Sequence, residues 1–293
     1  MVEERAHSPF SASGSERWLN CSVSVGLEEK SPPSKESFWS REGTLAHEVL
    51  EAILKRKPVP NHFEVTEQMV SFVQMAADKI KAIQRAFGGV LLVEKRVFAS
   101  FIHPEMFGTC DAVIAGGDGT LHIIDFKYGA GHIVKAKDNT QLIQYALSVS
   151  ESYDWKFDRV KKWILQPRAG EDWATSSLIS MNELRTVWLP KWVKGVERVR
   201  LSGQKPNPGG WCHYCRAKNI CPAKQEKRLE KVVNYFNDSP LERGLNGNKE
   251  KRQSTDAKGF GKKKSESGKG RFKKESYKKE TGGGEPEAFA WSK

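Results

Sequence analysis

The sequence predicts an α/β domain with a central mixed β-sheet flanked by helices. Helical spacing of apolar residues runs through TLAHEVLEAILKR, which starts at Thr44, and through residues 65–87. Short apolar runs of strand length lie between such segments, and two of them flank the turn sequence GGDG at 116–119. Because helices and strands mix without strict alternation, a mixed sheet is favoured over a regular parallel one.

The individual elements follow from local signals. A short helix over 16–20 leads to Cys21, and the Pro-Pro pair within 27–38 predicts a loop. Pro58 and Pro60 end the helix that begins at Thr44. The predicted strands are 90–98, 108–115, 120–127 and 160–168, and further helices are predicted over 138–152, 181–202 and 222–236. Five tryptophans are expected in the core or at interfaces: Trp18, Trp39, Trp155, Trp163 and Trp188.

Charge divides the chain into two parts. Residues 249–280 carry thirteen basic and five acidic side chains, a net of +8 within a whole-chain charge of +12. This segment has almost no aliphatic residues, so it buries too little apolar surface to offset the entropy of ordering. We therefore expect one domain over 1–236, with an N-terminal helical part and a C-terminal cysteine segment, and a disordered basic tail over 237–293.

The chain shows no membrane or secretion signal. Its first residues, MVEERAHSPF, lack an apolar stretch, and no run approaches the ~18 apolar residues of a membrane span. We expect a cytoplasmic protein with no membrane partner. The five cysteines then predict thiols or metal ligands rather than a disulfide framework.

Two carboxylates and a lysine lie on the predicted hairpin at 108–127. Asp125 and Lys127 are two residues apart on one strand and therefore share a face, while Asp111 lies on the partner strand. Carboxylates at hairpin distance repel each other unless a cation lies between them. Mg²⁺ fits this role, and Lys127 could then orient a metal-bound water or neutralise transition-state charge. An ordinary surface ion pair is the alternative.

Further polar residues stand at helical spacing on either side of the hairpin. His47 and Glu51 are one turn apart, as are Gln141 and Tyr145 on the following helix. Each pair alone is typical of an amphipathic helix. Together with the hairpin they give an ordered series, G-T-x-x-H-x-x-x-E, G-x-x-D, D-x-K and Q-x-x-x-Y.

This ordered series resembles the PD-(D/E)xK nuclease superfamily, specifically its RecB-like exonuclease branch, over about residues 8–225. The resemblance implies a restriction-endonuclease-like core. It also implies that His47, Asp111, Asp125 and the Phe126 carbonyl bind Mg²⁺ or Mn²⁺. Lys127 would then be the catalytic lysine, with Gln141 and Tyr145 near the scissile phosphate. Glu51 fits less well and would support His47.

Three cysteines form a second candidate site. Cys212, Cys215 and Cys221 have the spacing C-x2-C-x5-C, which is a strong metal signal in an intracellular protein. A fourth ligand would come from Cys21 or, with awkward reach, from His213. Four cysteines suit either Zn²⁺ or an iron–sulfur cluster, and the spacing does not choose between them.

The resemblance to the RecB-like branch favours an iron–sulfur cluster over Zn²⁺ at these cysteines. In the iron–sulfur members of the RecB-like branch, one cysteine before the nuclease motifs joins three after them around a [4Fe–4S] cluster. Cys21, Cys212, Cys215 and Cys221 have this arrangement, and structural Zn²⁺ is the alternative. Cys110 lies beside Asp111 on a predicted strand and is expected to be a small buried residue rather than a ligand.

The expected function is metal-dependent DNA exonuclease activity on single strands or free ends, in phage recombination, replication or repair. The sequence has no Walker A motif and no recognition helix, so neither an ATP motor nor base-specific reading is expected. The basic helix over 222–236 and the tail would attract phosphates, and the terminal EPEAFAWSK could dock a replication or recombination protein. The alternatives are a catalytically inactive, cluster-stapled DNA-binding accessory protein and, last, a zinc-stapled RNA-processing protein.

Overall fold

A computed structural model of the chain describes residues 8–33 and 36–237. Its centre is one five-stranded sheet flanked by helices, which confirms the predicted α/β fold. In sheet order the strands are β1 (Val90–Phe98), β2 (Phe107–Ala115), β3 (Thr120–Phe126), β4 (Arg159–Leu165) and β5 (Ala174–Ser180). Only β3 and β4 run parallel, and every other neighbouring pair is antiparallel. The sheet is therefore mixed, as the sequence predicts.

Helices precede the sheet. They are α1 (Ser15–Asn20), α2 (Ser24–Glu29), α3 (Phe38–Lys55) and α4 (Glu67–Phe87). α2 occupies part of the stretch predicted as a loop. α3 begins well before the predicted start at Thr44, because the Ser37 hydroxyl accepts the Ser40 N–H at 3.1 Å and forms an N-cap. The helix predicted from residue 65 begins two residues later, where the Thr66 side chain accepts the Met69 N–H.

The parallel pair of strands requires a crossover, and α5 (Thr140–Ser152) supplies it. After β4 the chain makes a 3₁₀ turn and then forms β5, an edge strand that the sequence analysis missed. The Ser- and Thr-rich sequence of β5, ATSSLIS, gives little apolar signal. The helix predicted over 181–202 is interrupted by a π turn at Leu184–Trp188, which separates α6 (Met181–Glu183) from α7 (Leu189–Arg200).

The sheet separates two apolar cores. On one face, α3 and α4 pack against Ile124 and Phe126 of β3. On the other face, α5 packs against Leu121 and Ile123 together with α1 and α7. Since side chains alternate along a strand, Asp125 follows Leu121 and Ile123 on the α5 face. The end of β3 therefore delivers a carboxylate to the edge of a core that is otherwise apolar.

The tryptophans are placed largely as predicted. Trp18 and Trp163 are buried, and Trp155 and Trp188 are partly buried. Trp39 is 70% exposed at the start of α3, so it is not a core residue of this domain, and its alternative prediction as an interface residue stays a prediction.

The cysteine segment and the last helix complete the described part. Short 3₁₀ turns at Gly210–Cys212 and Arg216–Asn219 carry the cysteines, and α8 (Pro222–Asn237) follows as predicted. The predicted tail lies outside the described residues from 238 onward. Among the helices of residues 8–33 and 36–237, none is long and apolar enough to cross a bilayer.

Helical glycines give a test of the packing between α1 and α7. A Cβ at Gly195 would lie 2.6 Å from Leu19 Cδ2 and 2.9 Å from Trp18 Cζ3, both in buried side chains, whereas a Cβ at Gly43 of α3 meets nothing within 4 Å. We expect Gly43→Ala to raise the free energy of unfolding by about 0.5–1 kcal/mol. Gly195→Ala should lower it by about 1 kcal/mol, because overpacking outweighs the same helix gain. Urea unfolding measures both, and equal gains would contradict the close packing.

Candidate functional site

The hairpin brings its two aspartates to the same end of the sheet. The pairing of β2 with β3 runs from Ala115 opposite Leu121 to Ala112 opposite Ile124, and Asp111 and Asp125 are the next residues beyond that last pair. The Asp111 carboxylate accepts the Phe126 N–H at 2.6 Å through Oδ2, and its Oδ1 lies 3.3 Å from His47 Nδ1. One carboxylate therefore contacts both the next strand and helix α3.

Glu94 joins this group and was missed from the sequence. The register of β1 and β2 places Glu94 opposite Asp111, and Glu94 adopts a left-handed backbone with φ 51°. Ligand atoms of His47, Glu94 and Asp111 all lie within 4.8 Å of one another. The sequence feature that could have indicated a role for Glu94 is that it is the only carboxylate in the apolar-rich strand VLLVEKRVF.

Lys127 lies beside this trio in a tight polar network. Its Nζ is 2.9 Å from Asp125 Oδ2 and donates to Gln141 Oε1 at 3.0 Å. Gln141 Nε2 donates in turn to Asp125 Oδ1 at 2.7 Å. The three side chains close a ring of contacts that fixes the ammonium at the end of β3.

Tyr145 completes the network one helical turn beyond Gln141. Burial raises the pKa of Tyr145, and the charges of nearby Asp125 add to that effect. The Tyr145 ring passes close to Gly108, where a Cβ would lie 3.0 Å from Tyr145 Cε1. Because Gly108 has no side chain, the Tyr145 ring has room to reach the site. The glycine of the G-x-x-D motif therefore accommodates the tyrosine of the Q-x-x-x-Y motif.

The acidic groups hold protons more tightly than usual. Burial, followed by the charge of Asp111, raises the pKa of Glu94 to about 7. Burial also raises the pKa of Asp125, and this outweighs the opposing effect of Lys127. Such shifts reflect negative charges held together out of water, which a bound cation would relieve.

The basic groups also hold their protons more tightly than usual, in their case because of neighbouring carboxylates. Burial disfavours the protonated form of His47, but the charge and hydrogen bond of Asp111 outweigh burial and raise its pKa. Burial likewise opposes protonation of Lys127, and the charge of Asp125 outweighs it, so the pKa of Lys127 is raised. Lys127 therefore remains an ammonium at neutral pH.

Two predicted residues take different positions. Glu51 forms an ion pair with Lys55 at 2.7 Å, and its negative charge helps to raise the pKa of Glu94. Among the described residues no hydrogen bond or ion pair joins Glu51 to His47, the residue that it was predicted to support. Phe126 uses its N–H on Asp111, and its ring lies 5.2 Å from the His47 ring. The Phe126 ring thus packs beside the imidazole and limits its position.

The donor set suits a hard or borderline divalent ion. One imidazole nitrogen and two carboxylates converge, and a third carboxylate, Asp125, lies next to them. Mg²⁺ takes one or two carboxylates and keeps several waters, and Mn²⁺ accepts imidazole as well. The residues present therefore fit such an ion.

The cysteine segment lies against the N-terminal helices. Asn207 donates from its N–H to Cys21 Sγ at 3.5 Å and from its side chain to the Asn20 carbonyl at 2.9 Å. Farther along, the Arg216 N–H donates to Glu28 of α2 at 2.9 Å. Cys21 therefore meets the segment that carries Cys212, Cys215 and Cys221, although about 190 residues separate them.

Two of the four thiols, Cys21 and Cys215, have raised pKa values. Burial raises the pKa of Cys21, and the charges of Cys212 and Cys221 add to the rise. Burial also raises the pKa of Cys215. A cationic centre would reverse these shifts, because metal-bound thiols are deprotonated.

Within the described ranges no three cysteines bring their sulfurs within 4.8 Å of one another. Cys110 is fully buried, and burial raises its pKa well above the usual value, which agrees with a small core residue.

A family model described as "Protein of unknown function (DUF2800)" matches residues 7–258. The chain belongs to the DUF2800 family. The matched range includes every residue of the hairpin site and all the cysteines of this DUF2800 member. Both candidate sites therefore lie within the family's own region.

Two solved structures resemble this DUF2800 chain in outline. One, described as a "Putative exonuclease" from Eubacterium rectale, is 13% identical, with coverage of 74% of this chain and 92% of that chain and a TM-score of 0.43. The other, a protein named SSO0001, is 13% identical, with coverage of 76% and 90% and a TM-score of 0.34. Similarity at this level carries no argument about activity.

The raised pKa of Glu94 predicts a pH-dependent stability of the DUF2800 chain in EDTA. A folded-state pKa of about 7, against an ordinary 4.5, means that the folded protein binds this proton more tightly. The resulting stability is present below pH 4.5 and is lost as pH rises through 7. The free energy of unfolding of Glu94→Gln, measured relative to that of wild type, should therefore be about 2 kcal/mol higher at pH 8 than at pH 5.

Urea unfolding at the two pH values measures this difference. Glu48→Gln, at an exposed position of α3, controls for the loss of one negative charge. A Glu94→Gln effect that is the same at pH 5 and pH 8 would contradict the shift.

Proposed function

We propose that this DUF2800 chain is a Mg²⁺- or Mn²⁺-dependent DNA nuclease that hydrolyses phosphodiester bonds. The observation that carries the proposal is the meeting of His47, Glu94 and Asp111 beside a lysine held by Asp125 and Gln141. A packed histidine or a surface ion pair would not need three carboxylates at one buried point. Gathering them costs stability, as the raised pKa values of Glu94 and Asp125 indicate.

Ligands for the ion would be His47, Glu94 and Asp111, with Asp125 close by. A bound divalent ion supplies Lewis-acid activation of water and neutralises phosphate charge. Glu94 is an addition to the set expected from the sequence. The Phe126 N–H orients Asp111 by donating to its second oxygen, which leaves the first oxygen directed toward His47.

Lys127 would act on the reacting phosphate itself. Its ammonium is kept protonated by Asp125 and is held in place by Gln141. A fixed positive charge at this point stabilises the negative charge that develops on the phosphate oxygens. Gln141 positions Lys127, and Tyr145 closes the network behind it.

We place the protein in the RecB-like branch of the PD-(D/E)xK superfamily, as an exonuclease on single strands or free ends in phage recombination, replication or repair. The ordered motif series supports this assignment, and most of its members lie in two sets of contacts, His47 with Asp111 and Asp125 with Lys127 and Gln141. The net charge of +12 favours a polyanionic partner. An inactive accessory protein is disfavoured, because such a protein has no use for an ammonium fixed by two side chains.

We further propose that Cys21, Cys212, Cys215 and Cys221 hold a [4Fe–4S] cluster with a structural role. The order of one cysteine before and three after the hairpin motifs supports a cluster over zinc, and N–H donors to Cys21 and Cys212 sulfurs resemble those that stabilise bound thiolates. The cluster would join α1 to the segment before α8.

Loss of Lys127 gives the direct test of the nuclease. Lys127→Ala should reduce the rate of Mg²⁺-dependent cleavage about 100-fold or more, because the fixed charge acts in the transition state. End-labelled single-stranded, double-stranded and circular DNA distinguish exonuclease from endonuclease action, and EDTA should abolish cleavage of each.

Lys161→Ala is the matched control, since this lysine pairs with His122 at the far end of the same sheet. It should cleave at the wild-type rate. Full activity of Lys127→Ala, with thermal unfolding like that of wild type, would refute the assignment.

The cluster is tested on protein purified without oxygen. We expect brown protein with an absorption band near about 400 nm and about four iron atoms and four sulfides per chain. Cys21→Ala should lose the iron, whereas Cys110→Ala should keep it because that thiol lies in the core. A colourless protein with one zinc per chain would reverse the assignment.

A further inference from the structure

Two large aromatic side chains lie exposed at the first turn of α3. Trp39 is 70% exposed and Phe38 is 55% exposed, and their ring centroids are 5.3 Å apart at an interplanar angle of 78°. An isolated apolar residue on a surface is ordinary, but two adjacent aromatic rings form a patch that typically marks a binding site. Neither ring contributes to the two cores of the domain.

The aromatic pair is connected to the hairpin site by a short series of contacts. Residues three and four apart on a helix are neighbours, so Glu42 lies beside both rings. The Glu42 carboxylate accepts from Arg168 at 3.2 Å, and the Arg168 guanidinium lies 4.7 Å from the centroid of the Tyr128 ring. Tyr128 directly follows Lys127 in the chain. The patch therefore borders the same end of the sheet as the catalytic lysine.

Another exposed aromatic continues the patch on its far side. Arg41 of the same helix turn forms a bidentate ion pair with Glu64. Phe63, next to Glu64, is 89% exposed and its ring lies 4.6 Å from that of His62. Exposed aromatic rings thus flank the Arg41–Glu64 and Arg168–Glu42 ion pairs along this edge, and exposed rings are the groups on which unpaired bases stack.

We propose that Phe38 and Trp39 form a stacking platform for the bases of a single DNA strand whose backbone enters beside Lys127. This proposal rests on the nuclease function proposed above and adds the form of its substrate. Aromatic rings stack on bases of any sequence, so the platform would hold unpaired DNA without reading it. Bases of a duplex are stacked within the helix and present no free face to these rings.

A protein partner fits the patch less well. Fully exposed aromatic side chains offer about 150–250 Å² each. Even Phe38, Trp39 and Phe63 together fall below the ~800 Å² per partner of a standard protein interface. Their combined area instead matches that of a few nucleotides. The rings also lie near the end of the sheet that carries Lys127, where phosphodiester cleavage is proposed.

The test measures binding of the full chain to a fluorescent oligothymidylate in EDTA, where no cleavage occurs. Trp39→Ala should weaken binding about tenfold, because stacking on one base is lost. Trp39→Phe should keep most of the affinity. The slope of affinity against salt should be the same in Trp39→Ala and wild type, since no phosphate contact is removed.

Two comparisons make the result specific. Phe101→Ala removes an aromatic ring that is 41% exposed and packs against Trp155, which follows the C-terminal end of α5, and it should bind like wild type. Binding of a blunt duplex should change less than twofold in Trp39→Ala. Unchanged oligothymidylate binding in Trp39→Ala, an equal loss for duplex, or no binding of oligothymidylate by wild type would each overturn the platform.

Failure of the platform and failure of the nuclease are distinguishable. Cleavage in Mg²⁺ without any effect of Trp39→Ala on binding rejects the platform alone. Trp39-dependent binding in EDTA without cleavage in Mg²⁺ rejects the nuclease and leaves the strand-binding surface in place.

Discussion

The carboxylate of Asp111 is the contact on which the rest of the site depends. It is buried, it accepts the main-chain N–H of Phe126, and it faces His47 of α3 and Glu94 of β1. Three elements therefore meet at one side chain. A buried carboxylate without such partners would cost several kcal/mol, so the two strands and the helix are held in register by the need to satisfy it.

Asp125 and Lys127 form an ion pair that is separate from the other carboxylates of the site. Asp125 is bound by Lys127 and Gln141, which leaves the trio of His47, Glu94 and Asp111 to converge separately. One acidic residue thus serves to hold an ammonium, whereas Glu94 has a raised pKa because it is buried near Asp111. The division follows from the pleat of β3, which turns Asp125 toward α5, and from α3, which approaches from the opposite face.

Local pattern was sufficient for much of this arrangement. Period two along β3 predicted that Asp125 and Lys127 share a face, and the GGDG turn placed Asp111 on the partner strand without fixing its register. Glu94 was missed because its role depends on the pairing of β1 with β2, and the sequence of the connection at 99–106 does not specify that register. The exposure of Trp39 was not predicted for a related reason. Ser37 starts α3 earlier than expected, and only packing decides which side of the added helical turn faces water. The strand β5 has too few apolar residues to be recognised alone.

The bonds from Asn207 to Asn20 and Cys21 close a loop of about 186 residues around the whole sheet. During synthesis, α1 leaves the ribosome long before the segment that covers Cys21 exists. Since contacts at such a distance along the chain form slowly, the sheet can assemble first and the two ends of the domain can join last. Chains interrupted before residue 207 would therefore leave the Asn20 carbonyl and Cys21 Sγ without these two donors, although α1 could still pack on α7.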